Sequence, residues 1–163
     1  ELVACDPLYL CDFNQQYIDQ VSTQFNDVYN NRLRKYIIHD YHLGHLPQNQ
    51  FGFIFSWNFF NYVTITQLEN YLTQAFDLLR PGGTFMFSYN NGDTPAGAGL
   101  AENFAQTYLP KSLLEPTIIG VGLELVQSFD EEPNTSWMEC KMPGTLSSTK
   151  AHQVMGEVKK RFP

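Results

Sequence analysis

Two aspartates stand where a carboxylate could hold the hydroxyl groups of a ligand. Leu8-Tyr9-Leu10-Cys11 is a short apolar run that ends at Asp12, and Tyr36-Ile37-Ile38-His39 is a β-rich run that ends at Asp40. Each run has the length of a buried strand, so each acid is expected at a carboxyl end. A carboxylate in that place can accept two hydrogen bonds from the vicinal hydroxyls of a ribose. The pair therefore points to a ligand that contains a nucleoside. Capping a helix or fixing a turn is the other role open to each acid.

Other polar groups cluster further along. Asn58, Asn61, Tyr62 and Tyr89 could face a substrate, or could be loop residues bonded to backbone. His39, His42 and His45 lie close together, but no cysteine or further acid is spaced to complete a zinc site, so no metal is expected. A histidine there could serve as a general base, since it titrates near neutrality. Cys11 and Cys140 sit in apolar runs and read as buried structural thiols. Trp137 reads as core.

The element that organises these residues runs from Gln50 to Gly83. An apolar run, Phe51 to Ser56, leads through an aromatic-polar elbow into a helix opened by Thr64-Ile65-Thr66-Gln67, which has the form of a capping box. Ile65, Leu68, Leu72, Ala75, Phe76 and Leu79 give that helix one apolar face, and Pro81-Gly82-Gly83 is expected to stop it. Upstream, Asn14 is placed to cap an amphipathic helix over residues 15–29. Downstream come a strand over 84–89 and helices near 100–108 and 113–119. Two strands, 123–129 and 135–141, are close enough in sequence to pair as an antiparallel hairpin. The tail is expected to form a surface helix over 151–160. Strand and helix alternate first and a hairpin closes the chain, which predicts one α/β domain over residues 1–163.

Composition narrows the function. The 163 residues are 43% hydrophobic and include thirteen Phe and nine Tyr, which excludes a disordered chain. A net charge of −7 disfavours nucleic acid as a partner. No run reaches the about 18 apolar residues of a membrane span, so no membrane association is expected. Three cysteines without a CxxC pair fit a reduced, cytoplasmic protein.

From Leu8 to about Gly144 the sequence resembles a class I S-adenosylmethionine-dependent methyltransferase. Leu-Tyr-Leu-Cys-Asp at 8–12 resembles the second strand of that family and Ile-Ile-His-Asp at 37–40 the third. Phe-Gly-Phe-Ile-Phe-Ser-Trp-Asn at 51–58 resembles the fourth strand and its active-site loop, and Leu-Leu-Arg-Pro-Gly-Gly-Thr-Phe at 78–85 the entry to the fifth. Leu123 to Lys141 resembles the closing pair. The resemblance implies a Rossmann-like, mostly parallel sheet with helices on both faces and a C-terminal antiparallel hairpin. It implies S-adenosyl-L-methionine as cofactor, with Asp12 on the ribose, Phe13 and Asn14 against the adenosine, Asp40 near the adenine amino group and Tyr41 along the ring. Ser56 and Trp57 would lie near the methyl end.

The sequence departs from the family in two places. The Gly-x-Gly loop that follows the family's first strand is not in these residues, and the first glycine is Gly44. The expectation is that a longer parent supplies that strand and loop, or that another segment fills the gap. At the fourth strand, Ser56-Trp57-Asn58-Phe59 replaces the Asp/Asn-Pro-Pro-Tyr/Phe of nucleic-acid amine methylases. That points away from adenine or cytosine and toward a small-molecule acceptor. A non-catalytic partner subunit is the alternative. An NAD-dependent dehydrogenase shares the ribose-acid logic but fits the Pro-Gly-Gly element and the hairpin poorly.

Overall fold

The computed structural model describes residues 5–131 and 135–144. The tail expected to be helical at 151–160 lies outside them. The chain divides into two compact units, Glu1–His45 and Leu46–Pro163.

The first unit is a strand–helix–strand arrangement. Strand β1 (Leu8–Asp12) leads into α1 (Gln15–Ser22) and the single turn α2 (Asp27–Asn30), and β2 (Leu33–Ile37) returns parallel to β1, with Leu8 opposite Leu33 and Asp12 opposite Ile37. Asn14 caps α1, its side-chain oxygen accepting from the Gln16 N–H at 2.9 Å. One continuous helix to residue 29 was expected, but the helix breaks after Ser22. Ser22 Oγ bonds back to the Ile18 carbonyl at 2.6 Å and Thr23 Oγ1 to the Gln20 carbonyl at 2.7 Å. Such side-chain bonds compete with continuation of the helix. Asn26 then opens α2 by accepting from the Tyr29 N–H at 3.1 Å. The second strand also sits earlier than expected, so Asp40 falls three residues beyond its end. Ile18, Leu33 and Ile38 are the buried apolar residues described in this unit.

The second unit is built on four strands in the order β3-β4-β6-β5. These are β3 (Phe51–Ser56), β4 (Leu79–Tyr89), β5 (Glu124–Glu131) and β6 (Thr135–Lys141), with α3 (Ile65–Leu78), α4 (Pro95–Glu102) and α5 (Lys111–Val121) between them. β3 and β4 run parallel, while β6 lies between β4 and β5 and is antiparallel to both. The expected hairpin is present. The sheet is mixed rather than mostly parallel, because the hairpin's second strand inserts beside β4.

Local chemistry sets these elements. Thr64 and Gln67 form the expected reciprocal capping box at the start of α3. Thr94 opens α4 by accepting from the Gly97 N–H at 3.0 Å, with Pro95 in the first turn, so this helix begins five residues before its expected start. Pro81-Gly82-Gly83 does not terminate α3, which ends at Leu78; it is already part of β4. A side chain at Gly83 would lie 2.7 Å from the Phe51 carbonyl oxygen, so glycine lets β4 close on β3 there. Gly82, at φ +76°, turns its N–H to the Met142 carbonyl at 3.0 Å.

The two faces of this sheet differ. On one, Phe85, Phe87 and Tyr89 are fully or almost fully buried with Met138 and Cys140. Phe60, in the 3-10 turn Phe60–Tyr62, joins that face to α3 by meeting Tyr71, Phe85 and Phe87 at 5.1–5.9 Å between ring centres. Leu68, Leu72, Leu114 and Ile118 complete this core at 0% exposure, each removing roughly 1.5–3 kcal/mol of apolar surface from water. On the other face, four rings from three strands stack in series. Phe53 meets Phe55 at 6.2 Å, Phe55 meets Trp137 at 5.7 Å and Trp137 meets Phe129 at 6.4 Å. Ser88 lies opposite Trp137 on the intervening strand, and its small side chain leaves room for the indole to reach Phe55.

Candidate functional site

In the first unit, the expected cofactor residues gather at the carboxyl end of the β1–β2 pair. Asp12 closes β1, half-buried, and its carbonyl accepts from the Ile38 N–H at 2.9 Å. One of its carboxylate oxygens, Oδ1, accepts from the Asn14 N–H at 2.7 Å. Asp12 thus fixes the turn into α1 and still has lone pairs for a hydroxyl donor. Asp40 and Tyr41 follow one another at φ +51° and +61°. Two consecutive left-handed residues that are not glycine are uncommon, and such strain gathers at functional sites. The His42 N–H donates to the His39 carbonyl at 3.0 Å and closes this turn. The turn sets the Tyr41 ring edge-on to Phe13, 5.4 Å between centres at 67°. Both rings are about two-fifths exposed. Asp40 is exposed, and among the described residues its carboxylate has no hydrogen bond or ion pair.

Carboxylates to accept from hydroxyl and amino groups, beside two accessible aromatic faces, suit a purine nucleoside. The residues present fit the adenosine half of S-adenosylmethionine. A cavity of about 340 Å3 lies at the opposite end of the strand pair, lined by Leu8 and Leu33 with Phe25, Tyr29 and Arg32. Ligands of open α/β sheets bind at the carboxyl ends, so this cavity is not the counterpart of that site.

The second unit carries Ser56 and Trp57, expected near the methyl end of the cofactor, and the expected substrate residues, which separate into exposed Asn58 and Tyr62 and buried Asn61 and Tyr89. Trp57 and Tyr62 are 71% and 58% exposed, and Ser56, the last residue of β3, is half-buried. Asn58 is exposed at φ +54°, with its N–H donating to Ser88 Oγ at 2.7 Å. Asn61 and Tyr89 are instead buried at 2% and 0%. The Asn61 amide donates to Gln106 Oε1 at 3.3 Å, and its backbone carbonyl accepts from the Thr107 N–H at 2.8 Å. Burial, aided by the nearby charges of Asp130, Glu115 and Asp93, holds the Tyr89 hydroxyl far above the ordinary range, so it stays protonated.

Sequence reasoning missed Asn90 and Asn91. Asn-Asn-Gly-Asp has the composition of a turn, yet both asparagines are buried. Asn90 donates to the Gly97 and Thr107 carbonyls at 2.9 and 3.1 Å, while Asn91 Oδ1 accepts from the Asp93 and Lys111 N–H groups at 3.1 Å each. Nothing in the spacing separates a turn asparagine from one that ties three loops together. Among the described residues, no group of three His, Cys, Asp or Glu is placed to hold a metal ion, and no helix is long and apolar enough to cross a membrane.

The fold is mixed α/β, with Asp12, Phe13, Asp40 and Tyr41 gathered at a strand end of the first unit. The family described as "Methyltransferase domain" matches residues 2–87, more than half of the chain. The chain belongs to that family. Solved structures share the fold at low identity. A possible exported protein from Bordetella parapertussis aligns with a TM-score of 0.69 at 11% identity, covering 88% of this chain and 56% of its own. An S-adenosylmethionine-dependent methyltransferase from Mesorhizobium loti aligns at 0.65 and 14%, covering 82% and 79%. Geranyl diphosphate C-methyltransferase from Streptomyces coelicolor A3(2), solved with Mg2+, geranyl diphosphate and S-adenosyl-L-homocysteine, aligns at 0.66 and 7%, covering 83% and 64%. The chain thus spans little more than half the length of the first of these. No curated protein matches the chain.

Proposed function

We propose that this chain carries out S-adenosylmethionine-dependent methyl transfer to a small-molecule acceptor. The observation that carries the reading is the strand-end group Asp12, Phe13 and Tyr41, with Asp40 beside it. In this reading Asp12 binds the ribose hydroxyls, Asp40 the adenine amino group, and Phe13, Asn14 and Tyr41 flank the adenosine. Ser56 and Trp57 belong to the methyl end, and Asn58, Asn61, Tyr62 and Tyr89 to the acceptor side. The buried positions of Asn61 and Tyr89 make them supports of that surface. The bound cofactor supplies an already activated methyl group, so the protein's task is positioning and exclusion of water. The whole chain, residues 1–163, reads as one Rossmann-like methyltransferase domain of a reduced, cytoplasmic enzyme, with nucleic acid and membrane outside its partners.

A second reading is a non-catalytic partner subunit that keeps the same fold. Calorimetry of the full natural protein with S-adenosylhomocysteine separates the two. Saturable binding is expected. Asp12→Asn should weaken it about tenfold or more, the worth of a hydrogen bond to a charged group. No heat at high micromolar ligand would sink the enzyme reading.

A further inference from the structure

The chemical class of the acceptor is written in the rim at the carboxyl ends of β3 and β4, and its assignment rests on the methyltransferase reading. Hydrogen bonds stitch that rim from three loops. The Thr107 N–H bonds the Asn61 carbonyl at 2.8 Å, the Asn90 amide bonds the Thr107 carbonyl at 3.1 Å, and the Gly92 N–H bonds the Leu109 carbonyl at 3.3 Å. Three aromatic side chains stand exposed on these loops: Trp57 at 71%, Tyr62 at 58% and Tyr108 at 55%. Exposed aromatic faces attract cations and apolar rings alike.

Charge decides between them. From residue 36 to residue 110 the sequence holds a single Lys or Arg, Arg80. Its guanidinium lies beside Gly52, at the amino end of β3 and away from the rim. Lys141 is at that same end, opposite Thr84, and is paired with Glu124 at 3.5 Å. Lys111 borders the rim but pairs with Glu115 at 3.6 Å. Two carboxylates remain there without an ion pair among the described residues. Asp93 accepts from the Ser112 N–H at 2.8 Å, and Asp130 accepts from Ser136 Oγ at 2.5 Å and the Asn91 amide at 3.4 Å, all neutral donors. The field favours a donor-bearing cation, and a phosphate or carboxylate would meet no free cation of the described rim.

We infer that the acceptor is a small molecule bearing a protonated amine on an aromatic or apolar body, held by the rim aromatics and by Asp93 and Asp130. Calorimetry of the full natural protein with phenethylammonium and with 3-phenylpropionate, each with and without S-adenosylhomocysteine, tests this. The ammonium should bind about tenfold more tightly than the carboxylate, and more weakly as salt rises. The isosteric double variant Asp93→Asn/Asp130→Asn, checked for folding by circular dichroism, should abolish the preference. Equal or tighter binding of the carboxylate overturns the inference, as does a preference that survives the double variant. So does failure of both probes while S-adenosylhomocysteine binds. Ammonium binding without S-adenosylhomocysteine binding keeps the amine site and sinks the methyltransferase reading, and silence from all three ligands sinks both.

Discussion

Cys11 and Cys140 illustrate how position decides chemistry for a side chain. Burial pushes the Cys11 thiol up to about 11; burial, with the charge of Glu139 adding to it, pushes Cys140 up to about 12. Both stay protonated at neutral pH and are poor nucleophiles. Cys5 is exposed. Iodoacetamide at pH 8 should therefore label Cys5 alone in the folded protein and reach the other two only after denaturation, as read by peptide mass spectrometry. The linkage has a definite sign. An unfolded thiol titrates near 9.0 and the folded ones only near 11 and 12, so the native state keeps protons that the unfolded state loses. This contribution is intact below about pH 9 and is lost as pH rises toward 11 and 12. The urea midpoint should fall across pH 9 to 11; a flat or rising midpoint would contradict it.

At the scale of the element, two substitutions in the second unit should rank in a stated order. Thr64→Ala removes the capping box of α3 and should cost about 1 kcal/mol. Gly97→Ala would drive a methyl group into the Asn91 carbonyl oxygen and set it 2.9 Å from Asn90 Oδ1. Backbone there cannot swing aside, so the cost should be about 2–4 kcal/mol. Denaturant melts of both variants check the order, and a Gly97→Ala protein more stable than Thr64→Ala would refute this account of the loop. Legibility in the sequence followed the same division. β3 was readable because a continuous apolar run has one plausible end, and α3 because its cap is spelled out in Thr64 and Gln67. The break after Ser22 was hidden because Ser22 and Thr23 fit a helical face as well as they fit a stop. Pro81-Gly82-Gly83 carries helix-stop composition, but its work is to admit β4 beside β3 and to meet Met142. That Asp12 and Tyr41 belong to one strand end could be read from the apolar runs and the resemblance. The left-handed turn that brings Tyr41 to Phe13, and the burial of Asn61 and Tyr89, depend on contacts that sequence spacing does not record.

Across the whole molecule, stability should be uneven. The described part of the first unit buries Ile18, Leu33 and Ile38, while the second buries a continuous set that includes Leu68, Leu72, Phe87, Leu114, Ile118 and Met138 at 0%. Segments with few buried apolar side chains open at lower free energy. Hydrogen exchange followed by mass spectrometry should show amides of β1 and β2 exchanging well before those of β4 and β6; equal protection would show the core to be shared more evenly than the burial indicates. The series of stacked rings in the second unit has an optical consequence. Trp137 is 9% exposed, lies between Phe55 and Phe129, and donates from Nε1 to Glu131 at 2.8 Å, while Trp57 is 71% exposed. The protein's two indoles are thus held in opposite surroundings. One is a shielded chromophore coupled to its neighbours and sensitive to sheet integrity; the other is open to quenchers. A single emission spectrum carries both signals, and the two can be resolved without any added label.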